Sequence, residues 1–273
     1  EKEPNAAGLK AIWSPNTGII DYTKVTDSYA DIFKNNGGEV LLDSKVLSLT
    51  REQKQIVIET ENETIKSKHI INCAGLHADR IAGLMGHDAG IRIVPFRGEY
   101  YSIDKARGTL INGLIYPVPD PAMPFLGVHF TTRIDGSVEA GPNAVLAFAR
   151  EGYSKFSFNL NDILNTITFP GFWKMSARNW RTGLSEQYRS INKKLFLKSL
   201  QYLVPDIKMS DLTAPGAGVR AQAVDHAGNL LQDFSIIEAD NAIHVLSAPS
   251  PGATSSLRIG KHIVDLAQKN FEL

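Results

Sequence analysis

The chain has a single cysteine, Cys73, in 273 residues, which excludes an internal disulfide and any site built from several thiolates. It has no excess of either charge, since 29 Lys and Arg balance 29 Asp and Glu, so nothing in the balance points to nucleic acid or to electrostatic capture by an anionic surface. No apolar run approaches the roughly 20 residues of a membrane span; the longest are strand-length and are cut by Gly, Pro or charge. Internal repeats and low-complexity tracts are missing. So are the spacings of several common catalytic sites: His-Glu-x-x-His or paired His on one helical face, the Gly-x-Ser-x-Gly elbow, and the phosphate loop with its Lys. No metal is expected. What remains is 43% hydrophobic, enough for a sizeable core in one large domain or two interleaved ones. The lone cysteine fits a reducing compartment.

What is present alternates between helix and strand signals. Val25, Ser28, Tyr29, Ile32 and Phe33 share one helical face, so a helix is expected from about Asp21 to the Gly37-Gly38 stop. Strands are expected from Val40 through Val46 to Leu49, from Ile56 to Glu59 and from Lys68 to Cys73, with Glu61-Asn62 as a turn. A short helix follows from Ala78 to Met85, closed by Gly86. From Ile91 to Ala140 the texture is an antiparallel meander: runs at 91–103, 114–118, 125–132 and 137–140, separated by prolines and by Ile134-Asp135-Gly136. Residues 159–204 read as mainly helical. Strands return after Pro215, with turns at Ala227-Gly228-Asn229 and Ala239-Asp240-Asn241. A last helix is expected from Gly252 to Lys269, with Leu257, Val264 and Ala267 toward the core.

Three segments carry chemistry. In residues 70–79 an apolar strand runs through Asn72, Cys73, Ala74 and Gly75 into a helix. Small residues there let a planar or phosphorylated group approach the backbone, although a plain strand-turn-helix corner has the same appearance. Residues 215–222 contain a literal Gly216-x-Gly218-x-x-Ala221. It follows Pro215 and leads into a strand, not a helix, so it is not a dinucleotide fingerprint. The alternatives are a glycine-lined approach with Arg220 projecting to bind a carboxylate, or an Arg on a surface strand. In residues 247–256 a strand ends in a small-residue loop and a helix begins, which suits developing negative charge at the helix start or is an ordinary capped helix.

In this order, these segments resemble the D-amino-acid-oxidase superfamily of flavoproteins, and within it the L-2-hydroxyglutarate oxidase or dehydrogenase family. The likeness extends to Ser14-Pro15-Asn16-Thr17-Gly18, to Pro95-Phe96-Arg97-Gly98-Glu99-Tyr100-Tyr101, to Gly127-Val128-His129-Phe130 and to Gly141-Pro142-Asn143-Ala144. It implies a mixed α/β fold of two interleaved domains: an FAD domain at 21–91 and 213–273, and a substrate domain with an antiparallel sheet at 1–20 and 92–212. It implies oxidation of L-2-hydroxyglutarate to 2-oxoglutarate by hydride transfer to FAD, with electrons passed to a quinone or oxygen. The alternatives are an amino-acid or amine oxidase of the same superfamily and a non-catalytic fragment. Family members begin with a strand, a Gly-x-Gly-x-x-Gly turn and a helix that hold the FAD pyrophosphate. This sequence contains no such segment, so the chain by itself is expected to be inactive. A cytoplasmic location is expected, compatible with peripheral association at the inner membrane.

The resemblance also assigns residues. Arg220 matches the carboxylate-binding arginine. His129, in an apolar strand that would line the substrate face, is the candidate base; the alternatives are a structural, hydrogen-bonded histidine and a base in the segment that this sequence does not contain. Arg97 is a second cation for the distal carboxylate, or else a strand arginine paired with Glu99. Tyr101 or Tyr100 would hydrogen-bond substrate, but only one of two neighbouring strand residues faces a given side; Tyr101 is the choice. Val46, Ala74, Gly75, Gly218, Val219, Pro251, Gly252, Ala253 and Thr254 are expected to touch FAD.

Overall fold

The computed structural model describes residues 2–88, 90–119 and 127–273. The chain divides into two compact units. The first comprises Glu1–Asp21, Pro95–Leu164 and Ser176–Arg220, and the second Tyr22–Val94, Asn165–Met175 and Ala221–Leu273. This differs from the expected partition at residues 92–94 and 165–175, which fall in the second unit, and at Asp21 and residues 213–220, which fall in the first.

The second unit opens with α1 (Tyr22–Asn35). Gly37 ends it in the left-handed conformation, with its N–H on Lys34 O and that of Gly38 on Phe33 O. The apolar stripe of α1 is not covered among the described residues, for none of its side chains is buried. Two tyrosine hydroxyls tie it down: Tyr22 to Thr254 at 2.9 Å and Tyr29 to Ser256 at 3.1 Å. The strand expected from Val40 begins only at Val46, because Asp43 takes a left-handed turn conformation (φ 53°) that no strand can hold. β1 (Val46–Glu52), β2 (Gln55–Thr60) and β3 (Thr64–Ser67) form an antiparallel meander.

β4 (Ile70–Asn72) leads through a 3-10 turn, Gly75–His77, into α2 (Ala78–Leu84). The first unit is built on β5 (Ile91–Ile103), β6 (His129–Thr132), β7 (Val138–Gly141) and β8 (Val145–Leu146), in sheet order β6-β7-β5-β8. Of residues 114–118 only Ile115 pairs, with Phe130; Phe125 and Leu126, expected to start a strand, lie outside the described residues. Three helices follow: α3 (Leu160–Ile167), α4 (Pro170–Ile191) and α5 (Lys193–Gln201). Phe196 and Leu200 of α5 close a core with Phe130 and Ala140 of the sheet.

β9 (Leu212–Asp225) pairs with β5 and starts three residues before Pro215. The Gly216 to Ala221 run lies wholly inside it, which agrees with its rejection as a dinucleotide turn. β10 (Ser235–Ala239) and β11 (Ala242–Ser247) are antiparallel, and β11 is parallel to β4. The last helix, α6 (Ser256–Phe271), begins four residues after Gly252, because residues 251–255 form turns. It buries Ile263, Ala267 and Phe271, spaced by four, against Ile243 and Val245. Val264 and Leu257, expected in the core, are 50% and 75% exposed.

The turn after β9 makes a pH prediction. Both carboxylate oxygens of Asp225 accept from Asn229, backbone and side chain, at 2.8 Å. These bonds, the Asn229 amide foremost, hold the Asp225 carboxyl below its ordinary value. A depressed carboxyl stabilises the fold above the unfolded value near ~3.9 and loses that contribution as pH falls through the folded one. Thermal unfolding of Asp225→Asn is therefore expected to lag wild type at neutral pH, with the gap closing in acid. A gap unchanged by acidification would contradict this.

Candidate functional site

In the first unit, sheet register decides which side chains meet. Tyr101 opposes Ala140, and Ala140 opposes Phe130; one residue along, His129 opposes Gly141. Side chains in a strand alternate between faces. One face therefore carries the row Tyr101–Ala140–Phe130, and the other carries Tyr100, Gly141 and His129. The first row is the core side: Phe130 and Ala140 are fully buried, and Tyr101 packs on Phe196 with ring centroids 5.0 Å apart. The second row is the candidate substrate face. Tyr101, the expected substrate contact, lies on the core face against Phe196, and Tyr100 is the tyrosine on the opposite face.

Arg97 shares the parity of Tyr101 and meets the same fate. It is 5% exposed and bonds Glu99 at 3.0 Å and Ser154 O at 2.8 Å. Of its two expected roles the pair with Glu99 is the one observed, because a buried guanidinium must be matched by a carboxylate. Glu99 is the hub of this knot and also accepts from Ser190 and Asn143, both at 2.8 Å.

Gly141 makes room for the substrate row. A Cβ there would lie 2.6 Å from Glu99 O and 3.1 Å from the Tyr100 ring, at a φ of 145°. Its absence lets β7 lie close to β5 beside Tyr100. His129 stacks on Tyr116, with centroids 4.1 Å apart. Its Nδ1 lies 3.0 Å from Gly127 O; a carbonyl only accepts, so Nδ1 carries the proton and Nε2 keeps its lone pair. Burial pushes the His129 pKa below its ordinary value; the Gly127 bond opposes this, and the charge of Arg220 adds to it. Burial raises the Tyr100 phenol, while the charges of Arg220 and Arg133 work the other way. Arg220 is exposed on β9, and its charge bears on both side chains. An imidazole kept neutral, a phenol kept protonated and a guanidinium together can bind a carboxylate and accept a proton beside it. Gly218 and Val219, assigned to the cofactor, lie on β9 just before Arg220 and are partly buried.

In the second unit, two loops leave the same edge of one sheet. β4 and β11 are parallel neighbours, so the turn after Asn72 and the turn after Ser247 both lie at carboxyl ends of parallel strands, where open α/β sheets bind ligands. Ala74 and Gly75 are exposed. Gly75 is left-handed (φ 53°), and a Cβ there would meet nothing within 4 Å. Ala74 N–H is held by Asn72 Oδ1 at 3.1 Å. In the other loop Pro251, Ala253 and Thr254 are exposed, and the Thr254 hydroxyl is engaged by Tyr22. Val46 is the half-buried first residue of β1. These small, open turns fit a large planar cofactor. Among the described residues no three His, Cys, Asp or Glu side chains gather as a metal site.

Tyr100 was legible only as the alternative to Tyr101, and nothing local marked Arg133 or the close approach at Gly141. Two-residue alternation was the available signal: once Arg97 is paired with Glu99, Tyr101 belongs to their face.

Comparison with known proteins gives the family. A family model described as FAD dependent oxidoreductase (DAO) matches residues 1–266. A protein of Indibacter alkaliphilus named L-2-hydroxyglutarate dehydrogenase is 50% identical over 270 residues, 98% of this chain and 68% of the relative. Proteins of that name from Escherichia coli K12 and, as a mitochondrial form, from Homo sapiens are each 44% identical, over 98% and 100% of this chain and 64% and 63% of their own lengths. The chain thus spans about two thirds of the relatives it matches. Among solved structures, L-alpha-glycerophosphate oxidase from Mycoplasma pneumoniae, with FAD bound, superposes with a TM-score of 0.65 at 20% identity, over 88% of this chain and 54% of that one. Glycine oxidase from Geobacillus kaustophilus gives 0.58 at 14% identity, over 90% and 54%. The chain belongs to the FAD-dependent oxidoreductase family, on the branch of the proteins named L-2-hydroxyglutarate dehydrogenase.

Proposed function

We propose that this chain serves the FAD-dependent oxidation of L-2-hydroxyglutarate to 2-oxoglutarate. The observation that carries the reading is the row Tyr100, Gly141, His129 with the charge of Arg220 on both flanking side chains. Arg220 binds the carboxylate next to the alcohol. His129 Nε2 takes the hydroxyl proton, and Tyr100 hydrogen-bonds the same end of the substrate. Bound FAD supplies the acceptor for the C2 hydride. The second carboxylate needs a second cation. Arg97 is committed to Glu99, and Arg133 is the other cation whose charge bears on Tyr100; it takes that role at the expense of its pair with Glu139. Ala74, Gly75 and residues 251–254 would hold the flavin, with Gly218 and Val219 beside it, and Val46 would meet the adenine through its backbone.

Electrons leave to a quinone or oxygen. No helix among the described residues is long and apolar enough to cross a membrane. We place the protein in the cytoplasm, with peripheral association at the inner membrane as the alternative.

The test joins this chain to the third of the Indibacter relative that it does not match and compares Arg220→Ala with the parent fusion. A charge-assisted pair is worth about 1.5–3 kcal/mol, so KM for L-2-hydroxyglutarate should rise about ten- to a hundred-fold while FAD affinity holds. An unchanged KM would remove Arg220 from the site.

A further inference from the structure

Beneath the exposed Ala74–Gly75 turn lies a hydrogen-bonded chain that the reaction above does not use. Asn72 is 4% exposed. Its Oδ1 accepts from Ala74 N–H at 3.1 Å, which fixes Nδ2 as the donor end. Nδ2 donates to Ala78 O at 2.8 Å and lies 3.0 Å from Nδ1 of the fully buried His244. A ring nitrogen that accepts from an amide NH2 carries no proton, so neutral His244 holds its proton on Nε2. That Nε2 lies 3.0 Å from His87 Nδ1. His87 Nδ1 must accept, and the His87 proton sits on its own Nε2. With both rings neutral the chain has one self-consistent arrangement.

A proton added to His87 sets N–H against N–H at the His87–His244 junction. Moving the His244 proton to Nδ1 only transfers the clash to Asn72. Relief then requires turning the Asn72 amide, which takes its oxygen off Ala74 N–H and its nitrogen off Ala78 O. These two bonds bracket the turn.

We propose that Asn72, His244 and His87 form a proton-sensitive latch: with both rings neutral it holds the Ala74–Gly75 turn in its cofactor-facing shape, and a proton entering at His87 releases it. The cofactor half rests on the assignment of that turn to FAD. His87 lines a cleft of about 260 Å³ together with Asp79, Asp88 and Arg92, which gives protons a path. Those charges are themselves engaged. Asp79 accepts from Arg80 N–H and Ile93 N–H, Asp88 accepts from Gly90 N–H, and Arg92 lies over the Phe169 ring. From β10 the residue opposite His244 is Ile237, which does not titrate. Burial, and then the charge of His87, lower the His244 pKa from 6.5 to about 4. A depressed histidine favours the closed form above its unfolded value and loses that contribution as pH falls toward the folded one, so the latch opens as pH falls from the usual histidine value toward about 4.

Three measurements test this. Nitrogen-15 NMR of the unaltered chain at neutral pH should find His244 and His87 both protonated on Nε2; a proton on His244 Nδ1 would overturn the latch. Hydrogen-exchange protection of the Ala74 amide, corrected for intrinsic rates, should fall about tenfold on acidification, the value of one lost hydrogen bond. In His87→Gln, whose amide accepts from His244 without titrating, the fall should shrink. Equal loss in both proteins would refute the role of His87. FAD affinity of the fusion should weaken in parallel in wild type and less in His87→Gln. A turn that loosens while FAD affinity holds would overturn the link to the cofactor and the assignment of Ala74–Gly75 with it; Arg220 and His129 would be untouched.

Discussion

Replacing His129 with glutamine should slow flavin reduction by about two to four orders of magnitude, the usual contribution of a positioned base. The effect should fall on the rate and leave KM largely unchanged, because the carboxylate anchor is Arg220. That split is the reverse of the one expected for Arg220→Ala. The pH profile adds a second signature. Burial and the nearby Arg220 charge hold His129 below its ordinary value, so the imidazole stays unprotonated through neutral pH and the wild-type rate should fall only as pH drops below the usual histidine range. In the variant that acidic limb should vanish. Rapid-mixing measurements under anaerobic conditions on the fusion protein read both quantities. A His129→Gln rate within a few-fold of wild type would assign the proton to another group.

Glu99→Ala should be the most destabilising single change in the first unit. The carboxylate is 5% exposed and gathers Arg97, Ser190 and Asn143, while Asn143 Oδ1 accepts from the Glu99 backbone at 2.8 Å. Removing it leaves the Arg97 charge buried without its carboxylate, a loss of about 3–5 kcal/mol and a fall of roughly 6–20 °C in the unfolding midpoint for a domain of this size. Glu99→Gln, which keeps the hydrogen-bonding shape but not the charge, should lose less. Calorimetry of the two variants decides; a Glu99→Ala loss under about 1 kcal/mol, the worth of an exposed pair, would mean that water reaches the knot.

What was legible in the sequence follows the range of the forces involved. Local signals were readable because they are written within a few residues: α1 with its Gly37 stop, α2 with Gly86, and the strand from Ile91 to Ile103. The Gly216 to Ala221 run could be rejected as a dinucleotide turn for the same reason, through Pro215 before it and the absence of a helical pattern after it. Facing was harder. Tyr100 and Tyr101 are adjacent and chemically alike, and only the register with Ala140 and Gly141, some forty residues away, separates them. Arg97 stayed open between a ligand-binding cation and the partner of Glu99, because only its burial with Glu99 on one face decides between them. The buried side of α6 was misjudged by one residue, since Ile263 and Val264 are both apolar and a step of about 100° per residue turns one to the core and the other to solvent. The Asn72–His244–His87 chain had no sequence signature, because the parallel pairing of β4 with β11 brings Asn72 to His244 and the turn after α2 brings His87.

The most direct test of the central claim is flavin reduction in the fusion of this chain with the unmatched third of the Indibacter relative. Under anaerobic conditions, bound FAD should lose its visible absorption when L-2-hydroxyglutarate is added and keep it with the D enantiomer or with L-glutamate. Bleaching by the amino acid and not by the hydroxy acid would contradict the account.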